Sequence, residues 1–216
     1  MLNKQKGNMY PFVTHTWNVI KGKCPHDCSY CYMKQFPQRE LHFDEKELKT
    51  DLGNGNYIFV GSSCDMFADK IPQLWIERVV GHCNQYPDNT YLFQTKNPYN
   101  FNKVKGFLKN VILGTTIETN RNNNLDNAPK RYFRSGCMEK EWMKRKMVTI
   151  EPIMDFDVMI LRGMIKNINP EFVNIGADSK GHNLPEPSKE KIEALIEELK
   201  KFTEVKNKNN LGRLIA

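Results

Sequence analysis

The stretch Gly22–Gln35, GKCPHDCSYCYMKQ, places Cys24, Cys28 and Cys31 within eight residues. The spacing is C-x3-C-x2-C, and it follows a run of strand character, FVTHTW at Phe12–Trp17. A closed structural zinc site takes four ligands, usually as two pairs. His15, His26, Cys64, Cys83 and Cys137 are available as a fourth, yet none completes a second C-x2-C pair. A [4Fe–4S] cluster held by three cysteines instead leaves one iron without a protein ligand, open to a substrate or cofactor.

Outward from this loop the chain alternates. Runs rich in β-branched and aromatic residues recur at Asn56–Gly61, Thr90–Thr95, Asn110–Thr116, Lys146–Glu151 and Glu171–Gly176, which with Phe12–Trp17 makes six expected strands. Helical stripes fill the gaps. Ile76, Val79, Val80 and Cys83 form one, Val158, Leu161, Ile165 and Ile168 another. Ile192, Leu195, Ile196 and Leu199 form a third, with Ser188 as N-cap, and Phe101, Val104 and Leu108 a shorter one. Asp44 and Glu47 stand three apart, like a capping box. Strand–helix alternation implies parallel strands with right-handed crossovers, and six units are too few for a closed eight-stranded barrel. The expected fold class is α/β, a partial (βα)6 TIM-like barrel over residues 1–203, with 204–216 as a polar, loosely held tail. In such sheets ligands bind beyond the carboxyl ends of the strands.

The chain has 216 residues and 39% hydrophobic residues, enough for one domain with a sizeable core. No apolar run approaches the length of a membrane span, and the first residues lack a secretory signal. The expected setting is therefore cytoplasmic, where clustered cysteines point to metal or catalysis rather than disulfides. The net charge of +7 is concentrated: residues 94–147 hold twelve basic and four acidic residues, and the flanks balance. Arg121, Lys130, Arg131, Arg134, Lys140, Lys144, Arg145 and Lys146 are interleaved there with Tyr132, Phe133 and Trp142. That mixture suits a nucleotide or nucleic acid, with phosphate contacts and stacked bases; a solvated lysine-rich surface gives the same pattern.

The motif CPHDCSYCY resembles the signature of radical S-adenosylmethionine (SAM) enzymes, including the aromatic Tyr30 before the third cysteine. THTWNVIKGKC, IFVGSSCDMFAD, YLFQTKNP, VILGTTIETNR, VTIEPI and VNIGADS resemble landmarks of a compact phage and bacterial subfamily without an assigned function. A more distant likeness is to spore photoproduct lyase, which acts on thymine lesions in DNA. The resemblance implies a partial barrel of the radical SAM type. It implies a [4Fe–4S] cluster on Cys24, Cys28 and Cys31, whose open iron chelates SAM. One electron, from a reductant such as flavodoxin or ferredoxin, then yields a 5′-deoxyadenosyl radical that abstracts hydrogen from substrate.

The strand ends and the resemblance together point to further residues. Gly61, Ser62 and Ser63 would meet the methionine amino group, although two serines replace the usual second glycine and acid. Lys96 would pair with the SAM carboxylate. Thr116 and Glu118 would hold the ribose hydroxyls, and Tyr30 would lie near the adenine. Glu151, Asp178 and Asp65, at strand ends, are candidates to orient substrate hydroxyls or amines; bonding to loop backbone is their alternative. Cys64 lies beside the serines, where a thiol can donate hydrogen to a carbon radical, or simply be a small buried hydrophobe. A reading from a different class is a non-catalytic, zinc- or Fe–S-stabilised nucleic-acid-binding module.

Overall fold

The computed structural model describes residues 1–5, 7, 9–105 and 110–216. Its main element is an eight-stranded sheet. In chain order the strands are β1 (Asn3–Lys4), β2 (His15–Trp17), β5 (Tyr57–Val60), β6 (Thr90–Thr95), β7 (Val111–Thr116), β8 (Lys146–Ile150), β9 (Phe172–Ile175) and β10 (Glu204–Asn207), and they neighbour one another in that same order. All pairings from β2 to β10 are parallel, and β1 is added antiparallel at one edge. A separate antiparallel hairpin, β3 (Ile20–Lys21) with β4 (His42–Phe43), encloses the cysteine loop. Four α-helices form the later crossovers: α1 (Gln73–Asn84), α2 (Arg131–Met138), α3 (Val158–Ile168) and α4 (Lys189–Lys200), with a short α5 (Gly212–Ile215) at the end.

The helical stripes read from the sequence are the buried faces of α1, α3 and α4. Ser188 caps α4 by accepting the Lys191 N–H, and the left-handed Asn169 ends α3. Alternation is less regular than expected in the first half. Between β2 and β5 the chain forms the hairpin and two 3-10 turns, Tyr32–Gln35 and Glu45–Lys49, with no α-helix. Asp44 does cap the second turn, but Glu47 does not reach back; it binds Lys21 at 2.8 Å and Thr50 at 3.2 Å. The stripe through Phe101, Val104 and Leu108 falls on a 3-10 turn, Pro98–Val104, and Leu108 lies outside the described residues.

Residues 204–216 correct the expectation of a loose tail. Glu204–Asn207 pairs residue for residue with β9, and Leu211 is fully buried. Polar side chains mislead there because the strand is held by its backbone ladder at the sheet edge, not by an apolar face.

Both faces of the sheet are covered, as parallel sheets require. One face, with Ile58, Val60, Phe93, Leu113, Val148 and Ile175, packs on the helices. The other, with Leu92, Ile112, Met147 and Phe172, packs on Tyr10 and Val13 of the N-terminal segment. Phe12 stacks on Tyr10 at 5.4 Å and meets Phe172 edge-on at 5.1 Å. This aromatic cluster covers that face of the sheet, and a cavity lies at the carboxyl ends of the strands.

Candidate active site

The cavity has a volume of about 1190 Å³. Its walls are the strand ends: Gly61–Asp65 after β5, Thr95 and Lys96 at β6, Thr116 on β7, Thr149, Glu151 and Pro152 at β8, Ala177 and Asp178 after β9, and Lys208–Asn210 after β10. Cys24, Cys28, Tyr30, Cys31 and Tyr32 of the cysteine loop complete it.

Local structure explains how the loop turns inward. Gly22 has φ 99, and a Cβ there would lie 2.3 Å from the Glu40 carbonyl oxygen, so only glycine closes the hairpin below the loop. Asp27 is left-handed at φ 43, and the Asp27 and Cys31 N–H groups donate to the Cys24 and Cys28 carbonyls at 3.1 Å. His26 Nε2 lies 2.8 Å from Asp65 Oδ2, tying the loop to the sheet. Asp65 also accepts from Thr95 Oγ1 at 2.8 Å and from the Lys96 and Phe67 N–H groups at 2.9 Å. Burial pushes the Asp65 carboxyl up, but His26 and these bonds outweigh it and hold it below the usual range. Asp65 is therefore a fully engaged anchor, the backbone-bonding alternative for this residue, and His26 is its partner.

All six cysteines are free thiols. Cys24, Cys28 and Cys31 line one cavity without converging: among the described residues no three His, Cys, Asp or Glu side chains stand close enough to hold a metal. Cys64, 2% exposed, lies beside Cys24, and their interaction lowers the Cys24 thiol and raises Cys64. Burial raises Cys28 and Cys31. Three unbridged thiols on one short, cavity-facing loop are a donor set that fits a thiolate-held iron–sulfur centre.

The serine turn is fixed from behind. Asn18 Oδ1 accepts the Ser63 N–H at 2.9 Å, Asn18 Nδ2 donates to Ser62 Oγ at 3.2 Å, and Tyr32 donates to the Ser62 carbonyl at 2.9 Å. Gly61 takes φ 78, with the Cys64 carbonyl 3.2 Å from where a Cβ would stand.

Lys96 reaches the cavity from a buried charge network. Its ammonium bonds Glu118 and, at 2.5 Å, the Tyr30 hydroxyl; burial brings Lys96 down to about 8. Glu118 itself does not line the cavity and is 0% exposed. Tyr30 donates to it at 2.6 Å, while Arg131 and Arg134 bind both Glu118 and Asp126. No part of that carboxylate is open to a ribose, which corrects the expected role of Glu118. The basic segment is corrected in part with it, since Lys130, Lys140 and Lys144 are exposed as expected. Arg131 and Arg134 point inward, Lys146 donates to the Met138 carbonyl at 3.3 Å, Arg121 pairs with Asp155 and Asp157, and Arg145 with Glu171. Tyr132 and Phe133 do stay exposed on α2.

At the far wall, Glu151 Oε2 accepts from Lys208 at 2.7 Å and Oε1 from Asn210 at 3.3 Å. Asp178 binds His182. Lys208 and Asn210 were hidden by the polar character of the C-terminal segment. The D-x3-H spacing of Asp178 and His182 was the visible clue to that pair.

A family model described as "Protein of unknown function (DUF5131)" matches residues 9–156. The chain belongs to this family. No curated protein matches it. Among solved structures, the fold is similar to spore photoproduct lyase. A cysteine-to-alanine variant of that enzyme with dinucleoside spore photoproduct has a TM-score of 0.62 at 9% identity, covering 92% of this chain and 64% of that one. A variant with bound AdoMet and the same dinucleoside gives 0.57 at 10% identity with the same coverage, and a tyrosine-to-phenylalanine variant 0.67 at 8%, covering 94% and 78%. The DUF5131 chain thus spans about 64% of the first of these structures, and at such identities the likeness concerns the fold.

Proposed function

We propose that this DUF5131 chain is a radical SAM enzyme on a partial (βα)6 barrel. Cys24, Cys28 and Cys31 would hold a [4Fe–4S] cluster, which when bound supplies the electron that cleaves the SAM sulfonium and so generates a 5′-deoxyadenosyl radical. The observation that carries the reading is that these three thiols line the same strand-end cavity as Gly61, Ser62, Ser63, Lys96 and Thr116. The turn Gly61–Ser63 presents backbone and hydroxyl oxygens to an ammonium, and Lys96 presents a cation to a carboxylate. Thr116 and Tyr30 take the ribose and adenine end. Glu118, Arg131 and Arg134 position Lys96 from beneath. Cys64 is the candidate hydrogen donor and Glu151 the candidate substrate-orienting acid. The substrate class that fits is a nucleotide or nucleic acid, supported by the fold neighbours that carry a dinucleoside, with a flavodoxin- or ferredoxin-type reductant. Arg131 and Arg134 are turned inward and do not contribute surface charge to this class, whereas Lys130, Lys140 and Lys144 are exposed.

Anaerobic reconstitution tests the reading. The expected result is about four irons per chain, a brown chromophore, and 5′-deoxyadenosine on adding dithionite and SAM. Zinc without a chromophore, or iron without SAM cleavage, overturns it.

A further inference from the structure

The loop after β9 carries a second constellation, at the other end of the strand order from the cysteines. His182 Nδ1 lies 2.6 Å from Asp178 Oδ1. The same carboxylate accepts two backbone donors, the His182 N–H at 2.5 Å on Oδ2 and the Lys180 N–H at 3.1 Å on Oδ1. Asp178 is 5% exposed at its side chain, and Arg213 donates to its carbonyl at 2.9 Å. The carboxylate therefore cannot swing away from the ring. Burial would raise its pKa, but His182 and the backbone donors hold it below the usual range. An ionised carboxylate only accepts hydrogen bonds, so in the neutral ring the nitrogen facing it, Nδ1, carries the proton and Nε2 keeps the lone pair.

The backbone on either side of the ring is left-handed, with Gly181 at φ 69 and Asn183 at φ 53. Asn183 takes the left-handed region that asparagine tolerates, so the chain turns sharply on both sides of the ring. His182 lines the large cavity, whereas the neighbouring cavity of about 510 Å³, lined by Asp178, Gly181 and Asn183, does not include the ring. Nε2 has no protein partner among the described residues. His26, by contrast, spends its Nε2 on Asp65.

We propose that His182, oriented by Asp178, is a further catalytic residue: a proton acceptor for the ligand that fills the β9–β10 half of the cavity. The Nε2 lone pair takes a proton from a ligand O–H or N–H. The electron pair of the broken bond stays on the ligand heteroatom, and the imidazolium formed is paired with Asp178. No electron or outside reagent is needed. The ligand class is one that presents a hydroxyl or ring N–H to this wall, as nucleosides do. The inference rests on the cavity being the active site proposed above, but not on the cluster.

The test uses 15N-labelled full-length protein and carbethoxylation by diethyl pyrocarbonate, followed by mass spectrometry, with His182→Gln to assign the signals. At about pH 9, long-range 1H–15N spectra should show the Nδ1–H tautomer for His182. His182 should be carbethoxylated about tenfold faster than His42, and D178N should reverse the tautomer and remove most of that advantage. An Nε2–H tautomer in the unsubstituted protein, or a His182 rate no higher than that of His42, overturns the proposal. So does a folded D178N protein that keeps the original tautomer and rate. If D178N fails to fold, the tautomer and rate of the unsubstituted protein decide. Iron content and 5′-deoxyadenosine yield are measured separately, so failure of the radical SAM reading is distinguishable from failure of this one.

Discussion

Arg134 Nη1 lies 3.1 Å from Glu118 Oε2, and both side chains are fully buried. The other guanidinium nitrogen, Nη2, reaches Asp126 at 3.1 Å, so one arginine joins the end of β7 to the loop before α2. Removing one member of such a pair strands a charge in low dielectric. Arg134→Ala should cost about 3–5 kcal/mol in urea unfolding. Arg134→Lys should recover little, because an ammonium cannot span both carboxylates as the planar fork does. A loss below about 1 kcal/mol for the alanine variant would mean that the network is solvated.

Asp126 makes the network pH-sensitive. Burial raises its carboxyl, but Lys96, Arg134 and Arg131 outweigh burial and hold it below the usual range. The folded-state pKa is depressed, so its contribution is fully present above the unfolded value of about 3.9 and is lost as pH falls through the folded one. Stability should therefore drop below about pH 4 with a slope approaching 1.4 kcal/mol per pH unit for this group. D126N should be less stable at neutral pH and show a shallower acid limb. An unchanged limb in D126N would assign the acid loss to other carboxylates.

The cysteine loop and the helices α1, α3 and α4 were legible because their signals are local. Ligand spacing and 3.6-residue periodicity need no knowledge of the rest of the chain. The strand-end rule, with the resemblance beside it, then led to Gly61, Lys96 and Thr116, which all line the cavity. What was hidden depends on partners far along the chain. RYFR in α2 reads as a basic, aromatic surface, yet Arg131 and Arg134 are buried because Glu118 and Asp126 neutralise them. Glu118 looked available for the same reason: nothing in ETN announces four donors converging on it. EVKN in β10 has no apolar alternation, and only its pairing with β9 makes it a strand.

That last point can be measured. If residues 204–216 were a loose tail, Leu211→Ala would be neutral. Leu211 is instead fully buried in the main core, and the residues before it place Lys208 on Glu151. A buried Leu→Ala change costs about 2–5 kcal/mol. The expected outcome is a loss in that range with an unchanged denaturant slope. A loss below about 0.5 kcal/mol would restore the tail.

The proposed cluster makes the hairpin beneath the cysteine loop a testable link between folding and iron uptake. Gly22 combines a φ of 99 with a Cβ position 2.3 Å from Glu40 O and 2.8 Å from Arg39 O. Both neighbours are backbone, so nothing flexible can yield. Gly22→Ala must therefore open the β3–β4 hairpin, which the Lys23 N–H bond to the Arg39 carbonyl at 2.9 Å helps to close. Opening it moves Cys24, two residues on, away from Cys28 and Cys31. Gly55→Ala is the matched control: its φ is 68, but a Cβ there meets nothing within 4 Å. Backbone strain alone costs about 1–3 kcal/mol at either site. Urea midpoints should therefore fall for both variants, and further for Gly22→Ala. Iron per chain after anaerobic reconstitution should stay near the unsubstituted value in Gly55→Ala and drop severalfold in Gly22→Ala. Equal iron uptake by the two would separate the hairpin from the site and leave the cysteine loop able to organise itself.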